Sequence, residues 1–357
     1  MGADIKYLLK KAIGARGYQR LRSLYWMLTA NFRDSLDYIT VDISGMCNIN
    51  CVMCALKEQF DKKGLMPFET FRKLENVLRR VRSISLSCNC EPLMNKEIIE
   101  MIDFSVNTNK NIKVLFTTNG TLLTPDLSSR LVKTGLDCIF ISIDSADRET
   151  FEKIRNGAKF EDVIKNVKEL VAQRRARKES ALKISIATIA SAFNIDELPA
   201  ILELVRELGI DRFKVMGLEP YFKETAGKTL YSKYNERPDS RYEEVFSELR
   251  RKALRYKIEI SLPSLRALPY YSCHMQSCVI SWNGDVSPCS SLSYRRPYWY
   301  FGENLIHPKI VFGNINDDGL YDIWNSRDFK KLRNDLLRGR LPPYCQKCLQ
   351  QNQLLGS

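Results

Sequence analysis

The sequence predicts an α/β fold: a partial (β/α)6 TIM-like barrel followed by a C-terminal α+β domain. Three observations predict it. From residue 39 a short β-rich run is followed by a helical stretch, six times over. Strands alternating with helices argue for a parallel sheet wound by right-handed crossovers. The strand candidates carry polar side chains on one face and branched apolar ones on the other. Near Pro263 the composition changes: cysteines return, with a hairpin signal at Asn283-Gly284.

Residues 1–38 read as a basic N-terminal helical extension. Leu8, Leu9, Ile13, Leu21, Leu24, Tyr25 and Leu28 lie among Lys6, Lys10, Lys11, Arg16, Arg20, Arg22 and Arg33. Such a helix either caps the barrel base or touches an anionic membrane surface. Gly14 and Gly17 interrupt the pattern, which favours capping. Residues 39–225 form the barrel, with strands expected at Ile39–Ser44, Ile84–Cys88, Lys113–Asn119, Ile139–Asp144, Leu182–Ala190 and Arg212–Leu218. Amphipathic stretches at Glu69–Arg80, Lys96–Val106, Arg148–Val171 and Ile195–Leu208 are the covering helices. Residues 226–262 read as a linker and one helix, Tyr242–Tyr256, and residues 263–357 as the second domain.

Successive strand side chains point to opposite faces. The apolar set should meet the helices, leaving Thr40, Asp42, Ser44, Ser85, Ser87, Ser142 and Asp144 for the lumen. A complete barrel normally fills its lumen with branched apolar side chains, so a polar lumen points to a binding cavity at the C-terminal strand ends.

Composition narrows the class. Hydrophobic residues make up 44% of the 357, enough for a sizeable core. No apolar run reaches the roughly 18 residues of a spanning helix, and the N-terminus does not read as a signal peptide. A cytoplasmic protein is therefore expected, in which the eleven cysteines stay reduced and serve metals or chemistry. The two histidines, His274 and His307, argue against a His-rich metal site. The formal charge of +13 admits an acidic substrate, a membrane surface or nucleic acid, but no nucleic-acid recognition motif accompanies it.

The chemistry concentrates at Cys47-x3-Cys51-x2-Cys54, directly after the first strand. Three thiolates on one tight loop can bind three irons of a 4Fe–4S cluster and leave the fourth open. A structural zinc normally takes four ligands, and no fourth Cys or His is near in sequence. With this spacing the sequence resembles the radical S-adenosylmethionine (SAM) superfamily over about residues 39–220. Later strand ends extend the resemblance: Cys88-Asn89-Cys90-Glu91-Pro92, Thr117-Thr118-Asn119-Gly120, Ser142-Ile143-Asp144-Ser145 and the helix end Ile154-Arg155.

The resemblance implies that SAM chelates the open iron and is cleaved to a deoxyadenosyl radical, which abstracts hydrogen from a substrate. It makes Met53, Cys90, Glu91, Asn119, Ser142, Asp144 and Arg155 the cofactor-binding candidates. The Cys90-Glu91-Pro92 backbone would hold the methionine amino group, and Met53 would lie by adenine. Ser142 and Arg155 would serve ribose or carboxylate. The family's glycines before the Glu are replaced here by Cys88 and Cys90, which leaves the amino-group contact less defined and raises the question of a hydrogen-atom donor. Strand parity puts Cys88 on the helix face with Ile84 and Leu86, against that role. Cys88, Cys90 and Cys278 are the thiols available for it.

A second site is C-terminal: Cys273, Cys289, Cys345 and Cys348. Four thiolates in two pairs can close around a tetrahedral zinc or a second cluster. The order resembles the SPASM/twitch extension that follows many radical SAM barrels, through Ile280–Cys289, Phe312–Ile315 and Asp322–Ser326. The resemblance implies one auxiliary 4Fe–4S cluster, two clusters in all, and makes this an iron–sulfur cluster domain.

The expected activity is dehydrogenation of a small polar or sugar-like metabolite. Epimerisation of such a substrate, or maturation of a peptide or lipid-linked substrate, is the alternative; a non-enzymatic, metal-stabilised nucleic-acid binder is a remote one. A peptide maturase often carries a separate leader-binding domain, for which a 38-residue extension is short. A reducing partner such as flavodoxin or ferredoxin is implied, and peripheral membrane contact is the reading left by the basic ends.

Overall fold

A computed structural model describes residues 35–58, 63–230, 239–265, 276–300, 302–338 and 340–348. The N-terminal amphipathic stretch and Cys273 lie outside them.

The six expected barrel strands form, slightly shorter than their apolar runs: β1 (Tyr38–Val41), β2 (Ser83–Ser85), β3 (Lys113–Thr118), β4 (Cys138–Ser142), β5 (Lys183–Ala190) and β6 (Arg212–Gly217). They pair in parallel and in chain order. The sheet continues at both edges. β7 (Glu259–Ser261), inside the stretch expected to be linker and helix, pairs in parallel with β6. β8 (Ser277–Ile280) pairs in parallel with β1, Ile39 opposite Cys278. From β8 the Asn283-Gly284 hairpin turns into antiparallel β9 (Asp285–Ser287), which pairs with β12 (Gly313–Asn314). The C-terminal segment is thus hydrogen-bonded into the barrel sheet. β10 (Arg296–Tyr300) and β11 (Glu303–His307) form a separate hairpin.

The core follows from the apolar strand face. Ile39, Val41, Ile84, Val114, Phe116, Ile139, Ile141, Ile184 and Ile186 are fully buried. At roughly 25 cal/mol per Å² of apolar surface removed from water, this layer is what holds the helices to the sheet. Local signals shape the helices. Asp147 accepts from the Thr150 amide and Thr124 from the Leu127 amide, both as N-caps. The expected Arg148–Val171 helix is two helices, Arg148–Ile154 and Phe160–Ala176. The break lies at Arg155–Gly157, where Gly157 takes φ +98°. It frees the Asn156 and Ile154 carbonyls, which accept from the Asn50 and Val52 amides at 2.7 and 2.9 Å.

Candidate active site

The three-cysteine loop springs from β1 and is closed at its neck. Ser44 bridges Leu65, the Gly45 amide donates to the Gly64 carbonyl at 2.7 Å, and Met66 N donates to Ile43 O at 3.0 Å. Asn95 Nδ2 ties both sides, donating to the Ile43 and Met66 carbonyls at 2.9 Å each. Above this neck Cys47, Cys51 and Cys54 are all half-buried. Burial pushes the Cys51 thiol up to about 11, opposed by the Arg155 guanidinium beside it, and burial likewise raises Cys47. Arg155 Nη1 lies 3.9 Å from Cys51 Sγ, and Asn119 Nδ2 lies 3.7 Å from Cys47 Sγ.

Asp144 and Arg155 form a buried ion pair, Nη2 to Oδ2 2.7 Å. Asp144 Oδ1 accepts from the Ile189 amide at 2.7 Å, so the pair joins the ends of β4 and β5. Burial raises Asp144 while Arg155 pulls it down. Arg155 Nε is buried without a hydrogen-bond partner. Ser142, at the end of β4, is half-buried. Met53 packs with Ile154, Leu218, Cys51 and Ile189 in a small apolar cluster.

Glu91 does work the sequence did not reveal. Its Oε1 accepts from Thr118 Oγ1 at 2.7 Å and Leu93 N at 3.1 Å, and its Oε2 from Asn119 N at 2.7 Å. Its own amide donates to Met46 O at 2.9 Å. One residue thereby stitches the turn after β2 to the end of β3 through its carboxylate and to the cysteine loop through its amide. The signal was available as a Glu-Pro pair beside a Thr-Asn-Gly strand end, which reads as side chain meeting turn amides.

The three thiols weighed as hydrogen donors, Cys88, Cys90 and Cys278, divide. Cys88 corrects the parity expectation: β2 ends at Ser85, so alternation no longer governs three residues later. The Cys88 amide donates to Asp42 Oδ1 at 3.2 Å, and its thiol is raised by burial and by the nearby Asp42 carboxylate. Cys88 therefore sits on the lumen side with Asp42 and not with Ile84 and Leu86. Cys90 is half-buried beside it, its thiol raised by burial. Cys278 is 1% exposed in the apolar core, pushed by burial to about 12, a placement that suits packing and not hydrogen donation.

At the C-terminal site Cys289 and Cys345 meet in one buried cluster with Leu292, roofed by Ile310, Leu341 and Tyr344. The Cys348 amide donates to Cys345 O at 3.4 Å, bringing the third thiol onto the same turn. A polar seam, half-buried apart from the buried Arg296, lies within electrostatic reach of both cysteine sets, Tyr221 of Cys54 and Arg296 of Cys289. Arg296 donates from Nη1 to Asn89 Oδ1 at 3.0 Å and from Nη2 to Ser290 O at 3.1 Å, and lies over the Tyr221 ring. The Tyr221 hydroxyl donates to Glu219 at 2.5 Å, at the end of β6.

These donors can be tested against what they would hold. Among the described residues no three His, Cys, Asp or Glu side chains converge on a single metal ion. A mononuclear zinc draws its thiolates to about 2.3 Å from one point. A cubane spreads its thiolates over separate irons. Cys47, Cys51 and Cys54 lie within electrostatic reach of one another, as three thiols that share one cluster must. The unpartnered Arg155 Nε leaves a donor for an anionic group beside it.

The barrel and its cysteine loop are those of a radical SAM enzyme, and the comparisons agree. The model of the "Radical SAM superfamily" matches residues 41–175, and that of an "Iron-sulfur cluster-binding domain", SPASM, matches residues 273–349. The chain carries a radical SAM domain followed by a C-terminal SPASM iron–sulfur domain. It is 24% identical over 328 residues to a tungsten-containing aldehyde ferredoxin oxidoreductase cofactor-modifying protein of Pyrococcus furiosus, covering 88% of this chain and 87% of that one. It is 25% identical to an AdoMet-dependent heme synthase of Methanosarcina barkeri, covering 85% and 86%. A GTP 3′,8-cyclase of Chlorobaculum tepidum is 31% identical over 198 residues, 55% of this chain and 57% of that protein. In structure it resembles Streptococcus suis SuiB bound to S-adenosylmethionine, TM-score 0.63 at 17% identity, covering 84% of this chain and 68% of that one. It also resembles anSMEcpe with bound AdoMet and the Cp18Cys peptide, TM-score 0.60 at 17% identity, covering 88% and 86%. Among the described residues no helix is long and apolar enough to cross a membrane.

Proposed function

We propose that this enzyme oxidises a peptide substrate, and that Cys47, Cys51 and Cys54 hold the SAM-binding 4Fe–4S cluster while Cys273, Cys289, Cys345 and Cys348 hold one auxiliary cluster. When bound, the first cluster and SAM together supply a deoxyadenosyl radical that takes a hydrogen atom from a substrate carbon. The chain's own residues do the rest. Arg155, steadied by Asp144, would offer its free Nε to the SAM carboxylate or ribose, with Ser142 at the end of β4 as a second candidate. The Cys90-Glu91-Pro92 turn, fixed by the Glu91 carboxylate, presents backbone to the amino group, and Met53 lies against adenine. Net oxidation also requires a proton acceptor, and Glu219 is a half-buried carboxylate at the end of β6.

The observation that carries the oxidative reading is the seam of Asn89, Glu219, Tyr221 and Arg296 within electrostatic reach of both cysteine sets. Its polar groups are of the kind that bind a peptide, and a substrate reaching both centres would meet them. The peptide class is supported by SuiB with its precursor peptide SuiA and by anSMEcpe with Cp18Cys, whose architecture this chain shares. A small sugar-like metabolite, the first expectation, gains no comparable support. A second reading, modification of a larger cofactor, is favoured by the names of the two relatives matched along most of their length. A cytoplasmic setting, a flavodoxin or ferredoxin as reductant, and lipid-linked substrates or membrane contact are further extensions.

The test is anaerobic incubation of reduced, reconstituted enzyme with SAM and either peptide fractions or small-molecule fractions. Deoxyadenosine release stimulated by peptide, with a product lighter by two hydrogens, supports the reading. Stimulation by the small-molecule fraction alone refutes the peptide class.

A further inference from the structure

The neck of the cysteine loop is covered by a side chain from the other cysteine domain. A Cβ built on Gly45 would fall 2.4 Å from Trp282 Cδ1, and one on Gly64 would fall 2.3 Å from Trp282 Cζ3. The five-membered edge of the indole thus presses on one side of the Gly45–Gly64 backbone bridge and its six-membered edge on the other. No side chain larger than hydrogen fits at either position while Trp282 stays. Trp282 itself is held at the tip of the β8–β9 hairpin. Gly284 turns it at φ +91°, and Asn314 and Asn316 each donate from Nδ2 to the Asn283 carbonyl at 3.1 Å. Four residues beyond the start of that return strand lies Cys289.

We propose that Trp282 is a positioning residue through which the SPASM domain sets the geometry of the SAM-cluster loop. This rests on the cysteine assignments above. Beyond the neck the loop is tied by the Glu91 amide to Met46 O and by the Asn50 and Val52 amides to the Asn156 and Ile154 carbonyls, and its three thiols project from a backbone without regular secondary structure of its own. An aromatic plate across the neck fixes the angle at which the loop leaves the sheet, and therefore where the open iron faces the SAM site. Loss of the plate leaves those distal ties but frees the neck to shift, and with it the thiol nearest the neck, Cys47. Small displacements of a reacting centre are costly, up to a hundredfold for about 1 Å.

The experiment compares the holoenzyme with Trp282→Ala, Trp282→Phe, Gly64→Ala and the Trp282→Ala/Gly64→Ala double variant. Each is reconstituted anaerobically, and EPR of the reduced protein is recorded over a SAM titration alongside iron content. Expected is a Trp282→Ala protein that keeps the auxiliary signal and needs about tenfold or more SAM for the SAM-dependent change in the first cluster's signal. Trp282→Phe restores it to within about threefold. Gly64→Ala alone shows the same defect, but adds little once Trp282 is Ala, because the new methyl then meets no indole. Full additivity of the two changes, an unaltered SAM titration in Trp282→Ala, or loss of both clusters together would each overturn the proposal. Should Trp282→Ala not accumulate, Trp282→Phe against Trp282→Phe/Gly64→Ala carries the same comparison. A wild-type enzyme whose spectrum ignores SAM would instead strike the cysteine assignment.

Discussion

The Tyr294 hydroxyl donates to Asp42 Oδ2 at 3.0 Å, joining a residue five beyond Cys289 to the end of β1, five before Cys47. Both groups are buried, and Asp42 Oδ1 is occupied by the Cys88 amide. A single carboxylate therefore links the SPASM segment, the β2 turn and the strand that launches the cysteine loop.

That carboxylate gives a pH signature. Burial raises Asp42 to about 6 from an unfolded value of 3.8. The fold thus favours the protonated acid: its stabilising effect is full below pH 3.8, declines as pH rises to about 6, and is gone above. The charged form costs about 3 kcal/mol at neutral pH. Asp42→Asn keeps the acceptor for Cys88 and can donate to Tyr294. The thermal stability of Asp42→Asn relative to wild type should climb between pH 4 and 6.5 and then level off. A difference that is flat across this range would refute the assignment.

Replacing Cys47, Cys51 and Cys54 together with Ala should leave only auxiliary iron and abolish deoxyadenosine production. Iron analysis and SAM cleavage on the same sample check both halves. Undiminished cleavage would remove the basis for placing SAM on this loop.

Asp144→Ala strips the counter-charge from a buried guanidinium, for which about 3–5 kcal/mol of destabilisation is expected. Asp144→Asn, which keeps shape and the acceptor for Ile189 N, should fold well yet bind SAM more weakly because Arg155 is no longer aimed. Equal SAM titrations for Asp144→Asn and wild type would place Arg155 outside the SAM site.

Glu219→Gln separates radical generation from oxidation. Deoxyadenosine release should persist while the product lighter by two hydrogens falls by about a hundredfold, the scale of general-base contributions. If cleavage and oxidation fall together, Glu219 acts on SAM or on the fold and not on the substrate proton.

The alternation of strand and helix was readable because β-branched residues repeat with period two between amphipathic stretches, and all six expected strands form. The cysteine spacing was equally plain. What escaped lay where pattern gives way to tertiary contact. β7 is three residues long and half-exposed, too short to show a period. β8 reads as half of a local hairpin, and nothing in its sequence announces β1 as its other neighbour. Parity misplaced Cys88 because the strand stops at Ser85. Glu91 looked like a ligand-side residue, yet its carboxylate accepts from the Thr118 hydroxyl and the Asn119 amide at the end of β3 and from the Leu93 amide of its own turn. Gly45, Gly64 and Trp282 carry meaning only together, across more than 200 residues of chain.

The pairing of β8 with β1 sets a timetable for synthesis. The first barrel strand leaves the ribosome with one edge bare, and its partner there follows more than 230 residues later. At about 5–20 residues per second, that edge waits for at least ten seconds or so. An unpaired strand edge is a template for stray pairing. A nascent chain stalled or cut before Ser277 should therefore be a substrate for chaperones and aggregation, even though every strand expected in its barrel is already present. Cluster delivery to the loop rooted in that same strand gains a settled target only when the last quarter of the chain has emerged.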